Sequence, residues 1–298
     1  ELVLWPHEND VIYRTFDRIF DCRGHGWANL QSMHINLPFA DDAEFGRLHA
    51  AIRVVLPLLP ALAASTPFLD GHATGMLDAR IDAYARNQAS VQPITGLIVP
   101  AAVRTHAQYQ ERILSPMYRA IAPHDPDGIL QFEWLNSHGA IARFDRQTIE
   151  IRLLDTQEHP GADLAIAALV VAVVQRLFAG PEAMLDAADA MTTETLAGIL
   201  RECVVHGESA RIDDTEYLRV LGVPRAGRDA GSIWRALAQL AAPELKAHGA
   251  ALEVILNDGT LASRLTRSVG SSVDRPSLLR SYRQLCGCLA EGRMFRAA

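Results

Sequence analysis

The sequence predicts an α+β fold, because strand patterns lie in its first half and helical patterns dominate its second half. Strict alternation of apolar and polar residues marks strands at 30–39 and 148–155. From residue 161 onward the pattern is mostly helical. The 298 residues show no internal repeat and no low-complexity linker, so we expect a single domain over 1–298.

The strand at 30–39 has an apolar and a polar face, because successive side chains of a strand point to opposite sides. One face carries Met33, Ile35 and Leu37, and the other carries Ser32, His34 and Asn36. Asp41 and Asp42 then offer an N-cap for a helix over 45–64. Pro57 and Pro60 must kink or split that helix.

The strand at 148–155 is built in the same way. Its apolar face carries Ile149, Ile151 and Leu153, and its polar face carries Thr148, Glu150 and Arg152. Because both strands have an apolar back, we expect their polar faces to lie together on one side of an antiparallel sheet.

The other elements follow from shorter patterns. Helices are expected at 80–87, at 107–121 with a break at Pro116, and at 161–178. Short strands are expected at 130–135 and 140–145, whereas 88–106 is expected to be irregular. The most apolar run is 162–178, but Asp163, Gln175 and Arg176 interrupt it, and the pattern predicts that it is too short to span a membrane. A buried helix is the favoured interpretation.

The composition argues against several classes of function. A net charge of −7 argues against a nucleic-acid-binding surface. Lys246 is the only lysine, so there is no Gly-Lys phosphate loop, and arginine, metal and backbone amides must bind any phosphate. Four scattered cysteines and the absence of a signal peptide predict a cytoplasmic protein without a disulfide framework. A homo-oligomer is the base-rate expectation for a soluble enzyme.

The polar faces of the two strands carry the first candidate residues. His34 and Asn36 can bind a divalent cation or a nucleotide phosphate, or they belong to an ordinary solvated sheet face. Glu150 and Arg152 form either a salt bridge or a metal ligand beside a phosphate clamp. Their combination on two strands that can share one face favours the functional interpretation.

Three further candidates for substrate binding lie outside these strands. In the loop and helix start at 70–80, Thr74 can present donors to an anion and Arg80 can pair with a carboxylate. The alternative is a surface turn followed by a solvated helix. Arg143, in the 140–145 strand, is a third candidate, with an outward-pointing surface arginine as its alternative.

Three stretches occur in the same order as in a known family. They are 32–36, 64–68 continuing to Thr74, Gly75 and Arg80, and 148–155. Together they resemble the type 2 glutamate–cysteine ligase family, also called the carboxylate–amine ligases, of the glutamine synthetase-like superfamily. The resemblance spans residues 25–180 and continues more weakly through 282–295.

The resemblance implies a fold and a reaction. The fold would be a curved, mainly antiparallel sheet whose concave face forms the active site, with helices packed behind it. ATP and Mg²⁺ would be the cofactors, and small-molecule amino acids and amines the substrates. Transfer of the γ-phosphoryl group to a carboxylate would give an acyl phosphate, from which an amine displaces phosphate to form an amide.

The resemblance also implies roles for individual residues. His34 and Glu150 would bind magnesium, and Asn36 and Arg152 would contact ATP and its phosphates. Glu150 and Arg152 would be the catalytic pair, and Arg80 would bind the substrate carboxylate.

One feature of the family is missing from this sequence. Family members usually begin with a strand of closely spaced glutamates that supplies further metal ligands. No such segment precedes His34, so either it lies outside this sequence or the protein has lost it. The chain as given is therefore expected to lack the acidic strand and to bind metal weakly alone. The alternative function is a non-catalytic nucleotide- or amino-acid-binding homologue that has lost full metal coordination.

Overall fold

The computed structural model describes residues 7–27 and 31–297, and it confirms the α+β class. The five strands are β1 (Ser32–Pro38), β2 (Phe68–Leu69), β3 (His72–Ala73), β4 (Ala140–Arg143) and β5 (Thr148–Asp155). β1, β5 and β4 form an antiparallel sheet in that order, and β2 pairs with β3 in a separate hairpin. The glutamine synthetase-like curvature of a larger sheet stays a prediction, as does the single-domain organisation.

Helices make up most of the remaining structure and dominate after residue 160, as predicted. They are α1 (Asp10–Phe20), α2 (Asp42–Val55), α3 (Pro60–Ala63), α4 (Ala79–Arg86), α5 (His106–Tyr109), α6 (Ser115–Ile121), α7 (Pro160–Phe178), α8 (Glu182–Ala190), α9 (Thr193–His206), α10 (Thr215–Val220), α11 (Ala230–Leu240), α12 (Gly249–Asp258), α13 (Leu261–Val269) and α14 (Arg275–Glu291). α2, α3 and α7 lie behind the sheet: α2 and α3 contact β5, and α7 packs on α2.

The start of α2 and its interruption follow from the sequence. The Asp41 side chain accepts a hydrogen bond from the Glu44 amide at 2.9 Å, which satisfies one free N–H of the first turn. A 3₁₀ turn at Leu56–Leu58 separates α2 from α3, which begins at Pro60. The predicted split at the two prolines is therefore confirmed.

The strand predicted at 130–135 is wrong. The segment forms turns and a single 3₁₀ turn at Glu133–Leu135. The Leu130 amide donates to the Asp125 carboxylate at 2.7 Å, so a side chain takes the donor that a sheet would have used. The strand predicted at 140–145 is present but ends at Arg143.

The helix predicted at 107–121 is interrupted next to Pro116, as expected. A π-helical turn at Gln110–Leu114 separates α5 from α6, and Pro116 lies in the first turn of α6. The Ser115 amide bonds to the Gln110 carbonyl, five residues back. Such a widened turn accommodates a residue that lacks an N–H.

α7 is long and apolar enough to cross a membrane by length and composition alone, so the sequence argument from its length was wrong. It is nevertheless half buried, with nine buried residues, and it packs against α2 and α12. The interpretation as a buried helix rests on these contacts.

A buried histidine of α2 lies in an aromatic cluster behind the sheet. The His49 ring centroid is 5.6 Å from that of Phe45 and 6.2 Å from that of Tyr109. Neither ring nitrogen has a hydrogen-bond partner among residues 7–27 and 31–297. Burial lowers the pKa of His49 to about 3, with Arg53, His138 and Arg104 adding smaller effects of the same sign.

His49→Phe is expected to reduce the decrease in unfolding free energy that acidification causes. Because the pKa of folded His49 lies below its ordinary value of 6.5, the unfolded chain takes up a proton first as the pH falls. The stability contributed by neutral His49 is therefore present above pH 6.5 and is lost towards its folded pKa of about 3. One such group changes the unfolding free energy by about 1.4 kcal/mol per pH unit.

Urea unfolding between pH 7 and 4 measures this slope. The His49→Phe variant should lose less stability on acidification than the parent chain, whereas a His124→Gln control, which changes an exposed histidine, should follow the parent. Parallel curves for the parent and His49→Phe would contradict the assignment. His138, whose pKa burial lowers to about 4, accounts for part of the slope that remains.

Candidate functional site

Strand register brings the predicted residues onto one face of the sheet, called the front face here. Asn36 and Ile141 both pair with Glu150, and Arg143 pairs with Thr148. Antiparallel partners project to the same side, so these residues share that face. The apolar side chains of β5 lie on the opposite face, where they are buried.

Glu150 is the centre of the front face. Its Oε1 lies 2.7 Å from His34 Nδ1 and 3.0 Å from Arg152 Nε, and its Oε2 lies 3.3 Å from Arg152 Nη2. The Glu150 side chain is 13% exposed and that of His34 is 37% exposed, so a ligand can reach both. The predicted neighbours are therefore in contact, and the Glu150–Arg152 salt bridge is real.

The hydrogen bonds also fix the tautomer of His34. Its Nε2 lies 2.8 Å from Ser32 Oγ, which can donate a proton to it. Nδ1 then carries the proton that His34 donates to Glu150. This bond, helped by the Arg152 guanidinium, lowers the pKa of Glu150 to about 2 despite its partial burial. Glu150 is therefore an anion at neutral pH.

Asp155, at the end of β5, is a residue that the sequence did not single out. Its Oδ2 accepts hydrogen bonds from the Ser65 amide (2.8 Å), Ser65 Oγ (3.1 Å) and Thr66 Oγ1 (3.1 Å). Its Oδ1 accepts from Arg80 Nε, and both side chains are almost fully buried. Asp155 thus fixes both the 65–66 loop and the start of α4 to the sheet.

Arg80 is therefore occupied by a protein carboxylate. Its Nη2 lies 3.5 Å from the Arg152 carbonyl oxygen, which links α4 to the front-face strand. Arg80 also contributes to the wall of a cavity beside α4, but its guanidinium is paired with Asp155. Its predicted contact with a substrate carboxylate stays a prediction.

Thr74 lies in a turn that borders the same cavity. Its Oγ1 is 3.1 Å from the Pro67 carbonyl and 3.0 Å from the Met76 carbonyl, and it accepts from the Met76 amide. The cavity has a volume of about 500 Å³ and is enclosed by the segment that follows α1, the β2–β3 hairpin and α4. Two predicted substrate-binding residues, Thr74 and Arg80, thus line one concave site.

Arg143 lies at the other edge of the front face. Its Nε is 3.7 Å from Glu133 Oε2 and 3.6 Å from Asp145 Oδ1, and it makes no hydrogen bond within the described part of the chain. The side chain is 15% exposed. Arg143 is therefore a loosely paired cation on the same face as Glu150, apart from the cavity.

The front face offers a partial donor set for a cation. It provides the Glu150 carboxylate and the Asn36 amide, whereas the His34 imidazole could bind a cation only after it releases Glu150 or Ser32. Within residues 7–27 and 31–297, no group of three or more His, Cys, Asp or Glu side chains is arranged to hold a metal. Mg²⁺ commonly binds through one or two carboxylates together with substrate phosphates and waters, and this set fits that mode through ionised Glu150.

Three known proteins are similar to parts of this chain. An uncharacterized protein of Archaeoglobus fulgidus is 34% identical over 172 residues, which are 58% of this chain and 46% of that protein. A putative glutamate–cysteine ligase 2 of Bradyrhizobium diazoefficiens is 27% identical over 169 residues (56% and 36%). A putative glutamate–cysteine ligase 2-1 of a Nocardioides species is 29% identical over 148 residues (48% and 34%).

The matches thus cover less than half the length of these relatives. The sequence model of glutamate-cysteine ligase family 2 (GCS2) matches residues 4–284, which is nearly the whole chain. The matched range includes β1, the segment 64–80 and β5, which carry the resemblance. The chain therefore belongs to glutamate-cysteine ligase family 2, a family of ligases.

Proposed function

We propose that this protein is an ATP- and Mg²⁺-dependent carboxylate–amine ligase. The observation that supports this most directly is the ionised Glu150 carboxylate, held between His34 and Arg152 on an accessible sheet face. Such a group is suited to a cation and a polyphosphate, because it places negative and positive charge side by side. Membership in a ligase family agrees with the proposal.

The reaction that we propose begins at a substrate carboxylate. The γ-phosphoryl group of ATP passes to this carboxylate, which otherwise is a poor acyl donor, and gives an acyl phosphate. An amine then attacks the acyl carbon and phosphate leaves. Mg²⁺, when bound, would neutralise charge on the transferring phosphoryl group.

The residues of the chain would bind and orient the reactants. Glu150 would hold the cation, joined by His34 if its bond to Ser32 or Glu150 is released, and Arg152 and exposed Asn36 would contact phosphate oxygens. Glu150 keeps the Arg152 guanidinium in place through two hydrogen bonds, so the cationic group is pre-oriented before substrate binds. Arg152 would thus supply the positive charge at the phosphate that a phosphate-loop lysine supplies in other nucleotide-binding proteins.

Substrate groups would contact residues at the two margins of this face. Thr74 and Arg80 border the cavity, and Arg143 is the loosely paired cation at the opposite edge. Arg80 would act on substrate mainly by shaping the cavity wall, since its charge is balanced by Asp155.

Trapping with hydroxylamine tests this proposal on the full-length protein. With ATP, Mg²⁺ and glutamate, hydroxylamine should intercept the acyl phosphate as a hydroxamate, with one ADP released per product. A panel of other carboxylates would define the donor. Absence of hydroxamate and of amine-dependent ADP release across the panel would reject the ligase, and nucleotide binding without turnover would favour the non-catalytic homologue.

A further inference from the structure

The cavity beside α4 has an aromatic wall. The Phe20 and Trp27 rings are stacked, with centroids 6.0 Å apart and planes at 23°, and Phe68 contributes a third ring. Asn87 of the α4 C-terminus donates a hydrogen bond to the Gly26 carbonyl, which ties this wall to the helix. A volume of about 500 Å³ lined in this way suits an organic molecule with an apolar body.

The charged groups of the cavity favour a cation. Three aspartates line it, namely Asp21, Asp70 and Asp82, together with two arginines, Arg80 and Arg86. Arg80 is balanced from outside by Asp155, Arg86 pairs with Asp82, and His25 Nε2 lies 2.9 Å from Asp70 Oδ2. The three aspartates of the lining therefore still outnumber Arg86 and His25, even when His25 is charged.

Asp82 is the carboxylate best placed to hold a ligand cation. It lies in the first turn of α4, where its side chain is 27% exposed. Its partner Arg86 is an i,i+4 neighbour whose side chain is 67% exposed. Such a pair is weak, so a ligand ammonium can replace Arg86.

We propose that this cavity binds the acceptor amine, and that the acceptor is an apolar, aromatic primary amine without a carboxylate. This inference rests on the proposed ligase function. The aromatic rings would hold the body of the amine, and Asp82 would hold its ammonium group. An amino acid would add a carboxylate to a lining in which carboxylates already outnumber cations, and so would bind less well.

Amide formation from this acceptor balances without a further reactant. The ammonium group gives one proton to Asp82, which passes it to solvent. The lone pair of the neutral amine attacks the acyl phosphate carbon, so a C–N bond forms as the C–O bond to phosphate breaks. The second N–H proton leaves with hydrogen phosphate.

Calorimetry with matched ligands tests the cavity on the full-length protein. 2-Phenylethylamine should bind at least about tenfold more tightly than phenylalanine, which differs by the carboxylate. It should also bind more tightly than 2-phenylethanol, which lacks the ammonium group. Equal or tighter binding of phenylalanine would overturn the proposal.

Two variants locate the binding. Asp82→Asn should weaken 2-phenylethylamine binding at least about tenfold, because it removes the paired charge. Asp127→Asn, a change at an exposed aspartate elsewhere on the surface, should leave binding unchanged. Circular dichroism confirms that both variants are folded. Unchanged binding by Asp82→Asn would overturn the assignment to this cavity.

Turnover separates this inference from the proposed function. Amide formed from glutamate and 2-phenylethylamine, in preference to cysteine, would support both. Turnover with cysteine but not with 2-phenylethylamine would leave the ligase standing and reject the acceptor class. Failure of all ATP turnover would reject the ligase, while calorimetry would still decide what the cavity binds.

Discussion

Glu150→Gln is expected to reduce acyl hydroxamate formation by at least about a hundredfold. Glutamine keeps the shape of the side chain but removes the negative charge that a cation would require. It also has one acceptor oxygen, whereas Glu150 receives hydrogen bonds from His34 Nδ1 and from two nitrogens of Arg152. One of these donors would face the new amide group, and Arg152 would lose its fixed orientation.

The matched control is Glu111→Gln, which removes a carboxylate from an exposed position in the π turn. Glu150→Gln should also lower the free energy of unfolding by about 1–3 kcal/mol, because the side chain is only 13% exposed and its donors lose a charged acceptor. Glu111→Gln should stay within about 1 kcal/mol of the parent. A Glu150→Gln protein that keeps most of its activity would show that the front face is not the catalytic face.

The pKa of Glu150 adds a second readout. Because the hydrogen bond from His34 and the nearby Arg152 lower it to about 2, Glu150 stays ionised from pH 5 upward. The acid limb of the activity profile above pH 5 should therefore come from another group. Glu150→Asp, which keeps the charge on a shorter side chain, should retain more activity than Glu150→Gln.

The front face could be predicted from the sequence because strand alternation is a local rule. A period of two residues decides which side chains of β1 and β5 share a face, and antiparallel pairing then brings Asn36 opposite Glu150. His34 was expected at this face for the same reason. What alternation could not supply was the hydrogen-bond pattern that makes Glu150 the common acceptor.

The network around Asp155 was not predictable in this way. Asp155 lies 75 residues from Arg80 in the chain and 90 from Ser65, so their contact depends on tertiary packing alone. The sequence suggested that Arg80 faces a substrate carboxylate, whereas the nearest carboxylate is one that the protein itself supplies. A buried arginine usually has such an internal partner.

The incorrect strand at 130–135 has a related cause. Its residues have strand-like composition, but composition does not reveal that the Asp125 side chain captures the Leu130 amide. The side-chain bond holds this segment in turns, and the aromatic rings of Phe132 and Trp134 then stack on each other at 4.2 Å. Local side-chain bonds of this kind outweigh the propensity of a short segment.

Arg264→Met is expected to lower the free energy of unfolding by about 3–5 kcal/mol. Arg264 Nη1 lies 2.5 Å from Glu158 Oε1, and both side chains are completely buried. Nη1 also donates to the Phe295 carbonyl, and Nε donates to the Gly259 carbonyl. Removing the guanidinium leaves the Glu158 charge buried without a counter-ion and deprives two carbonyls of their donor.

This pair joins parts of the chain that are far apart in sequence. Glu158 lies between β5 and α7, Arg264 lies in α13, and Phe295 follows α14, with its amide donating to Glu158 at 3.1 Å. The C-terminal segment is therefore held to the connection that immediately follows Asp155. We expect Arg264→Met to loosen this segment, which limited proteolysis after residue 291 would detect.

The exposed pair of Arg296 and Asp258 provides the matched control. Their atoms are 3.1 Å apart, but the side chains are 65% and 39% exposed, so Arg296→Met should change the unfolding free energy by less than about 1 kcal/mol. Urea unfolding of both variants measures the difference. The double variant Glu158→Gln/Arg264→Met should recover part of the loss, because it no longer buries an unpaired charge. Equal effects of Arg264→Met and Arg296→Met would show that burial does not set the strength of the pair.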